Sequence, residues 1–127
     1  MTLDHTIIPC SNSKERSEFY ASVLGLEHRG EYSHFEVVMA GPHLKLLFDT
    51  RTNFESHHYA FRASNDEYNA ILKRIKRRNL PFGNSPGNRV NSEEYEDDGE
   101  KGFYFDDIDG HVLEVITNTQ GETATAR

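Results

Sequence analysis

What this sequence lacks is informative. Cysteine occurs once, as Cys10, so no internal disulfide is possible and the fold must be held by an ordinary core. No apolar run approaches the roughly 20 residues that span a bilayer, and no leader pattern follows Met1. The expectation is a soluble, cytoplasmic protein with no membrane partner. Positive charge is also scarce: 14 Lys and Arg face 21 Asp and Glu, a formal net charge of −7. That balance argues against general nucleic-acid binding, which needs a basic field to displace counterions from phosphates. At 127 residues the chain is long enough to bury roughly two thirds of its unfolded surface, which suits one domain.

What is present is an internal echo. Asp4-His5-Thr6-Ile7-Ile8 aligns with His57-His58-Tyr59-Ala60-Phe61, and each is followed by a helical pattern. Later, Gly41-Pro42-His43-Leu44 aligns with Asp109-Gly110-His111-Val112, placing His43 under His111 and Leu46 under Glu114. The repeated unit is a strand, a helix and three strands. This divides the chain into module one (1–50), a polar linker (51–56), module two (57–118) and a frayed tail (119–127).

In module one, residues 3–9 read as a strand. Asn12 and Glu15 form a capping pair, and Phe19, Tyr20, Val23 and Leu24 share a helix face before Gly25 stops it. Residues 28–31, 33–40 and 44–49 read as strands. In module two, residues 57–63 open as a strand, and Ser64 with Glu67 makes a capping box. Tyr68, Ile71, Leu72, Ile75 and Asn79 trace the inward stripe of a helix that Pro81 ends. The basic residues Lys73, Arg74, Lys76, Arg77 and Arg78 fall mostly outside that stripe and read as a solvated face. Residues 82–90 are rich in turn formers and 91–101 in acids, the composition of a solvated loop or of a lid. Phe103-Tyr104-Phe105 and residues 112–116 close the pattern as a hairpin.

Glu114 stands out within that hairpin. A carboxylate between Leu113 and Val115 is costly to bury unless something pairs with it, and a metal ion is one such partner. His5 and His58 occupy equivalent positions in the first strands of the two modules. Two imidazoles and a carboxylate on strands make up the ligand set of mononuclear non-haem iron sites and of catalytic zinc sites. His57 is a rival to His58, on the opposite strand face. His43 and His111 read as turn histidines, and His28 and His34 as surface or packing residues. Tyr104 is a candidate hydroxyl donor to a substrate, with an amphipathic packing tyrosine as the alternative.

Leu3-Asp4-His5-Thr6-Ile7, the helix end from Glu18-Phe19-Tyr20 to Leu24-Gly25-Leu26, His58-Tyr59-Ala60-Phe61, and Asp109-Gly110-His111-Val112-Leu113-Glu114 together resemble the vicinal oxygen chelate superfamily. That group comprises glyoxalase I, extradiol dioxygenases, fosfomycin-resistance thiol transferases and bleomycin-resistance proteins. The resemblance implies an α+β fold of two βαβββ modules, whose curled mixed sheets form a cleft around a divalent metal. Ligand positions on the first and last strands map to His5, Leu46, His58 and Glu114. Leu46 departs from glyoxalase I, which has a carboxylate there, so lactoylglutathione lyase activity is disfavoured.

Fosfomycin transferases place a basic phosphonate contact near the end of the fold, and residues 119–126 contain none. The resemblance therefore implies a metal-dependent, dioxygenase-like enzyme. It would use Fe2+, Mn2+, Zn2+ or Ni2+ on a small molecule that chelates through neighbouring oxygens. The alternatives are a metal-free binder of the bleomycin-resistance type, for which the acidic segment speaks, and a fosfomycin-type transferase. Short members of the family form homodimers, which here implies His5 from one subunit and His58 with Glu114 from the other.

Overall fold

The computed structural model describes residues 1–119. They form two units, residues 1–55 and 56 onward, with the same order of elements.

The first unit runs β1 (His5–Cys10), α1 (Ser13–Leu24), β2 (Glu27–Tyr32), β3 (Phe35–Ala40) and β4 (Leu44–Thr50). Its sheet has the order β1-β4-β3-β2, with β1 parallel to β4 and the remaining pairs antiparallel. Helix α1 starts where expected: the Asn12 side chain accepts from the Glu15 N–H at 3.0 Å, satisfying one of the N–H groups a helix start leaves orphaned. It stops at Gly25, whose φ of +71° is a left-handed conformation that costs glycine little. Tyr20, Val23 and Leu24 are buried against the sheet, and Tyr20 meets Phe48 edge-on with ring centroids 4.8 Å apart. Phe19 is only half-buried.

The second unit runs β5 (His58–Arg62), α2 (Asn65–Arg77), β6 (Tyr95–Asp97), β7 (Glu100–Asp106) and β8 (Val112–Asn118). Its order is β5-β8-β7-β6, with β5 parallel to β8. The capping box predicted for α2 is formed: Ser64 Oγ accepts from the Glu67 N–H, and Glu67 Oε1 accepts from the Ser64 N–H. Tyr68, Ile71, Leu72 and Ile75 are buried as expected. Asn79 is not part of that stripe, because the helix has ended and Asn79 is exposed with a φ of +54°. Under α2 lie Phe103, Phe105, Leu113 and Val115, all fully buried, with Tyr68 edge-on to Phe103 at 5.2 Å. The fold is thus α+β, two βαβββ units each with a curled mixed sheet.

Two expectations are corrected. The acid-rich stretch is not a solvated loop: it is a hairpin, in which Tyr95 pairs with Gly102 and Asp97 with Glu100 across a tight Asp98-Gly99 turn. Both turn residues have positive φ, +49° and +79°, the conformation a two-residue hairpin requires. Ahead of it, Gly83 exchanges two backbone hydrogen bonds with Tyr104, so the same edge of β7 is also paired further along.

The second correction concerns register. His5 lies opposite Lys45 and His58 opposite Val112, so the counterpart of Glu114 is Leu47, not Leu46. The turn glycines that suggested the other alignment sit in hairpins of different length, Ala40 to Leu44 in one unit and Asp106 to Val112 in the other. Leu46 faces α1, as Leu113 faces α2. Apart from Thr119, the segment 119–127, expected to fray, lies outside the described residues.

Candidate functional site

Strand alternation sends His58, Tyr104 and Glu114 to the sheet face away from α2. Tyr104 is the direct cross-strand partner of Glu114, and Ala60, on the other side of Glu114, lies two residues along β5 from His58. The small Ala60 side chain lets the imidazole reach over: His58 Nε2 stands 2.9 Å from Glu114 Oε1. Glu114 is only 8 % exposed, whereas the His58 side chain is 46 % exposed. A buried carboxylate is therefore joined to an accessible imidazole.

The second carboxylate oxygen has a partner that sequence reasoning missed. Tyr95 donates its hydroxyl to Glu114 Oε2 at 2.6 Å, within the range of a charge-assisted bond. The signal was available in Asp98-Gly99, a strong two-residue hairpin pair, which makes residue 95 part of a strand and so able to reach the sheet face. Burial, then the bond to Glu114 and its charge, push the Tyr95 hydroxyl well above its ordinary pKa. The Tyr104 hydroxyl is also raised, first by burial and then by the Glu114 charge. Both phenols therefore stay protonated and serve as donors. The Tyr104 ring packs edge-on to His58 at 5.8 Å and tilted against Tyr95 at 5.6 Å.

The opposite face of β5 holds a separate group. His57 stacks with Tyr59, and His111 is fully buried, its Nδ1 accepting from the His57 N–H at 2.9 Å. His111 is structural, as expected, but its imidazole ties the β7–β8 turn to the residue before β5 and does not bond within the turn. His28, expected only to pack, also binds Glu36 at 3.0 Å and Ser17 at 3.2 Å through the same Nε2.

His5 opens β1 of the first unit. Its Nδ1 lies 2.8 Å from Asp4 Oδ2, and Asp4 also pairs with Lys45 at 3.3 Å. The bonds from His5 and Lys45 hold the Asp4 carboxyl below its usual range. An imidazole held by a carboxylate through one nitrogen presents the other outward, the arrangement metal-ligating histidines commonly adopt. Beside His5 is a cavity of about 520 Å³, with Val37, Met39 and Leu47 as an apolar floor, Tyr32 and Phe35 as aromatic walls and Lys45 at the rim. In register Leu47 answers to Glu114 and Val37 to Tyr104, so apolar side chains stand here where the second unit has a carboxylate and a phenol.

The profile of the Glyoxalase/Bleomycin resistance protein/Dioxygenase superfamily matches residues 2–115. The chain belongs to this superfamily. Among solved structures, the superfamily member is similar to "Oxidase ChaP-H2", at 34% identity with a TM-score of 0.87, covering 93% of this chain and 94% of the other. It is also similar to "Oxidase ChaP-H1", at 32% identity with a TM-score of 0.88, covering 96% and 99%. The fosfomycin resistance protein FosX from Listeria monocytogenes shares the fold, with a TM-score of 0.69, 20% identity and 94% coverage of each chain. Comparison with curated protein sequences gave no match.

As donors for a divalent ion, His58 and Glu114 fit: an imidazole nitrogen and a carboxylate oxygen already converge on rigid neighbouring strands. Among the described residues no three His, Cys, Asp or Glu side chains cluster as a ligand set. No helix among them is long and apolar enough to cross a membrane.

Proposed function

We propose that the chain is a metal-dependent oxidase of this superfamily, acting on a small molecule that binds through neighbouring oxygens. The observation that carries the reading is the buried Glu114 carboxylate joined to the accessible His58 imidazole, with protonated Tyr95 and Tyr104 beside it. The identity of about one third with two proteins named as oxidases, over nearly the whole of both chains, supports oxidase chemistry.

In this reading His58 and Glu114 hold the ion together with His5, His5 coming from one subunit of a homodimer and the pair from the other. Fe2+, Mn2+, Zn2+ and Ni2+ all suit two imidazoles and a carboxylate. When bound, such an ion would supply Lewis acidity toward a chelated oxygen pair. Two neutral imidazoles and one carboxylate leave it a net charge of about +1, which favours an anionic chelate. Tyr104 donates its hydroxyl toward a substrate oxygen.

A second reading is favoured by one feature. Both Glu114 oxygens are satisfied by protein donors, so the burial of this carboxylate does not itself require an ion. That is the metal-free binder.

Elemental mass spectrometry on protein purified without a metal-affinity tag separates the two. The oxidase reading expects about one ion per chain, lost in His58→Ala. It also expects oxygen uptake with vicinally oxygenated substrates, abolished by His58→Ala with Glu114→Ala, and a light-scattering mass of twice the 14.6 kDa protomer. No ion, and none gained on anaerobic reconstitution, would leave the binding module.

A further inference from the structure

The second unit contains a device that the first does not. Tyr95 stands opposite Gly102, and the tyrosine ring lies directly over that glycine. A Cβ built at Gly102 would collide with the Tyr95 hydroxyl and with its Cζ at 2.5 Å. Only a residue with no side chain leaves this path across β7 open, and at its end the phenol meets Glu114 Oε2.

The first unit shows what happens without it. There the hairpin pairs Tyr32 with Phe35, so the position opposite the tyrosine carries a large ring. Tyr32 is 69 % exposed and lines the cavity wall, and the residue in register with Glu114 is Leu47. A tyrosine is thus present in both hairpins, but it crosses the sheet only where a carboxylate waits. Gly102 and Glu114 belong together.

We propose that Tyr95 is the positioning residue of Glu114: laid across Gly102, its hydroxyl fixes Oε2 and leaves Oε1 turned toward His58 as the donor atom. The hydroxyl is committed to Glu114, so Tyr95 orients the carboxylate and does not itself touch a substrate. This rests on Glu114 being a metal ligand. Outer partners of this kind carry 10- to 100-fold of metal affinity, roughly, because an unheld carboxylate must be ordered by the ion that binds it.

The test is Tyr95→Phe, which keeps the ring over Gly102 and deletes only the hydroxyl. Co2+ is titrated into metal-free wild type and variant, reading both affinity and the visible spectrum of the bound ion. The expected result is a loss of affinity of about 10- to 100-fold with a changed spectrum, since freeing Oε2 alters how the carboxylate binds. Equal affinity and an identical spectrum would overturn the inference and leave the metal reading standing. A wild type that binds no Co2+ would overturn both.

Discussion

Adding a single methyl group at Gly102 should expose how tightly the site is built. In Gly102→Ala the new Cβ would meet the Tyr95 ring and, at 2.6 Å, the Val115 carbonyl oxygen. The ring can swing away but the carbonyl belongs to the sheet, so two costs arise. Expelling Tyr95 forfeits its bond to a charged carboxylate, about 1.5–3 kcal/mol for such bonds in general, with the lower end apt for a half-buried phenol. Crowding the β7–β8 backbone adds about 1–3 kcal/mol, the usual range for overpacking.

The sum is about 2.5–5 kcal/mol, which for a chain of this size lowers the melting temperature by roughly 10–20 °C. A double-mutant cycle isolates the first cost. Measured by thermal and urea unfolding, Gly102→Ala should cost about 1.5–2 kcal/mol less in a Tyr95→Ala background, where no ring remains to be displaced. Equal costs in both backgrounds would refute the claim that Gly102 exists to let Tyr95 pass.

Tyr68 is fully buried, its hydroxyl donating to Glu94 at 2.7 Å, and burial followed by that bond raises its pKa above the ordinary value of 10. The unfolded chain therefore loses this proton first, so the contribution is intact below about pH 10 and declines as pH rises above it. In Tyr68→Phe that part of the alkaline decline should vanish from urea midpoints measured between pH 9 and 11, and an unchanged slope would contradict the assignment. At the start of α2, Ser64→Ala removes the acceptor for the Glu67 N–H and should lower stability by about 1 kcal/mol, read as a shift in urea midpoint without a change in slope.

The helices, the repeat and the superfamily were legible because their signals are local. A side chain capping its own helix, a glycine at a helix end and an apolar stripe all act within a few residues, so Asn12, Gly25 and Ser64 could be read directly. His58 and Glu114 were legible as candidates for a related reason: a carboxylate inside an apolar strand signals an unmet need wherever it is found. The partner that met it was not legible. Tyr95 reaches Glu114 only because an Asp98-Gly99 turn folds an acid-rich segment into a strand, and because Gly102 opposite it is bare.

Register was decided by the tertiary structure as well. Matching glycines suggested that Leu46 answers to Glu114, but the two hairpins differ in length, and one residue of slip moves a side chain from one sheet face to the other. Leu47 therefore faces the cavity while Leu46 packs toward α1. The sequence alone determined the kind of module, its repetition and the donor types available, since these depend on composition and short-range period. Which donors meet depends on strand pairing between distant residues, and that is set by backbone hydrogen bonds and steric fit across the sheet.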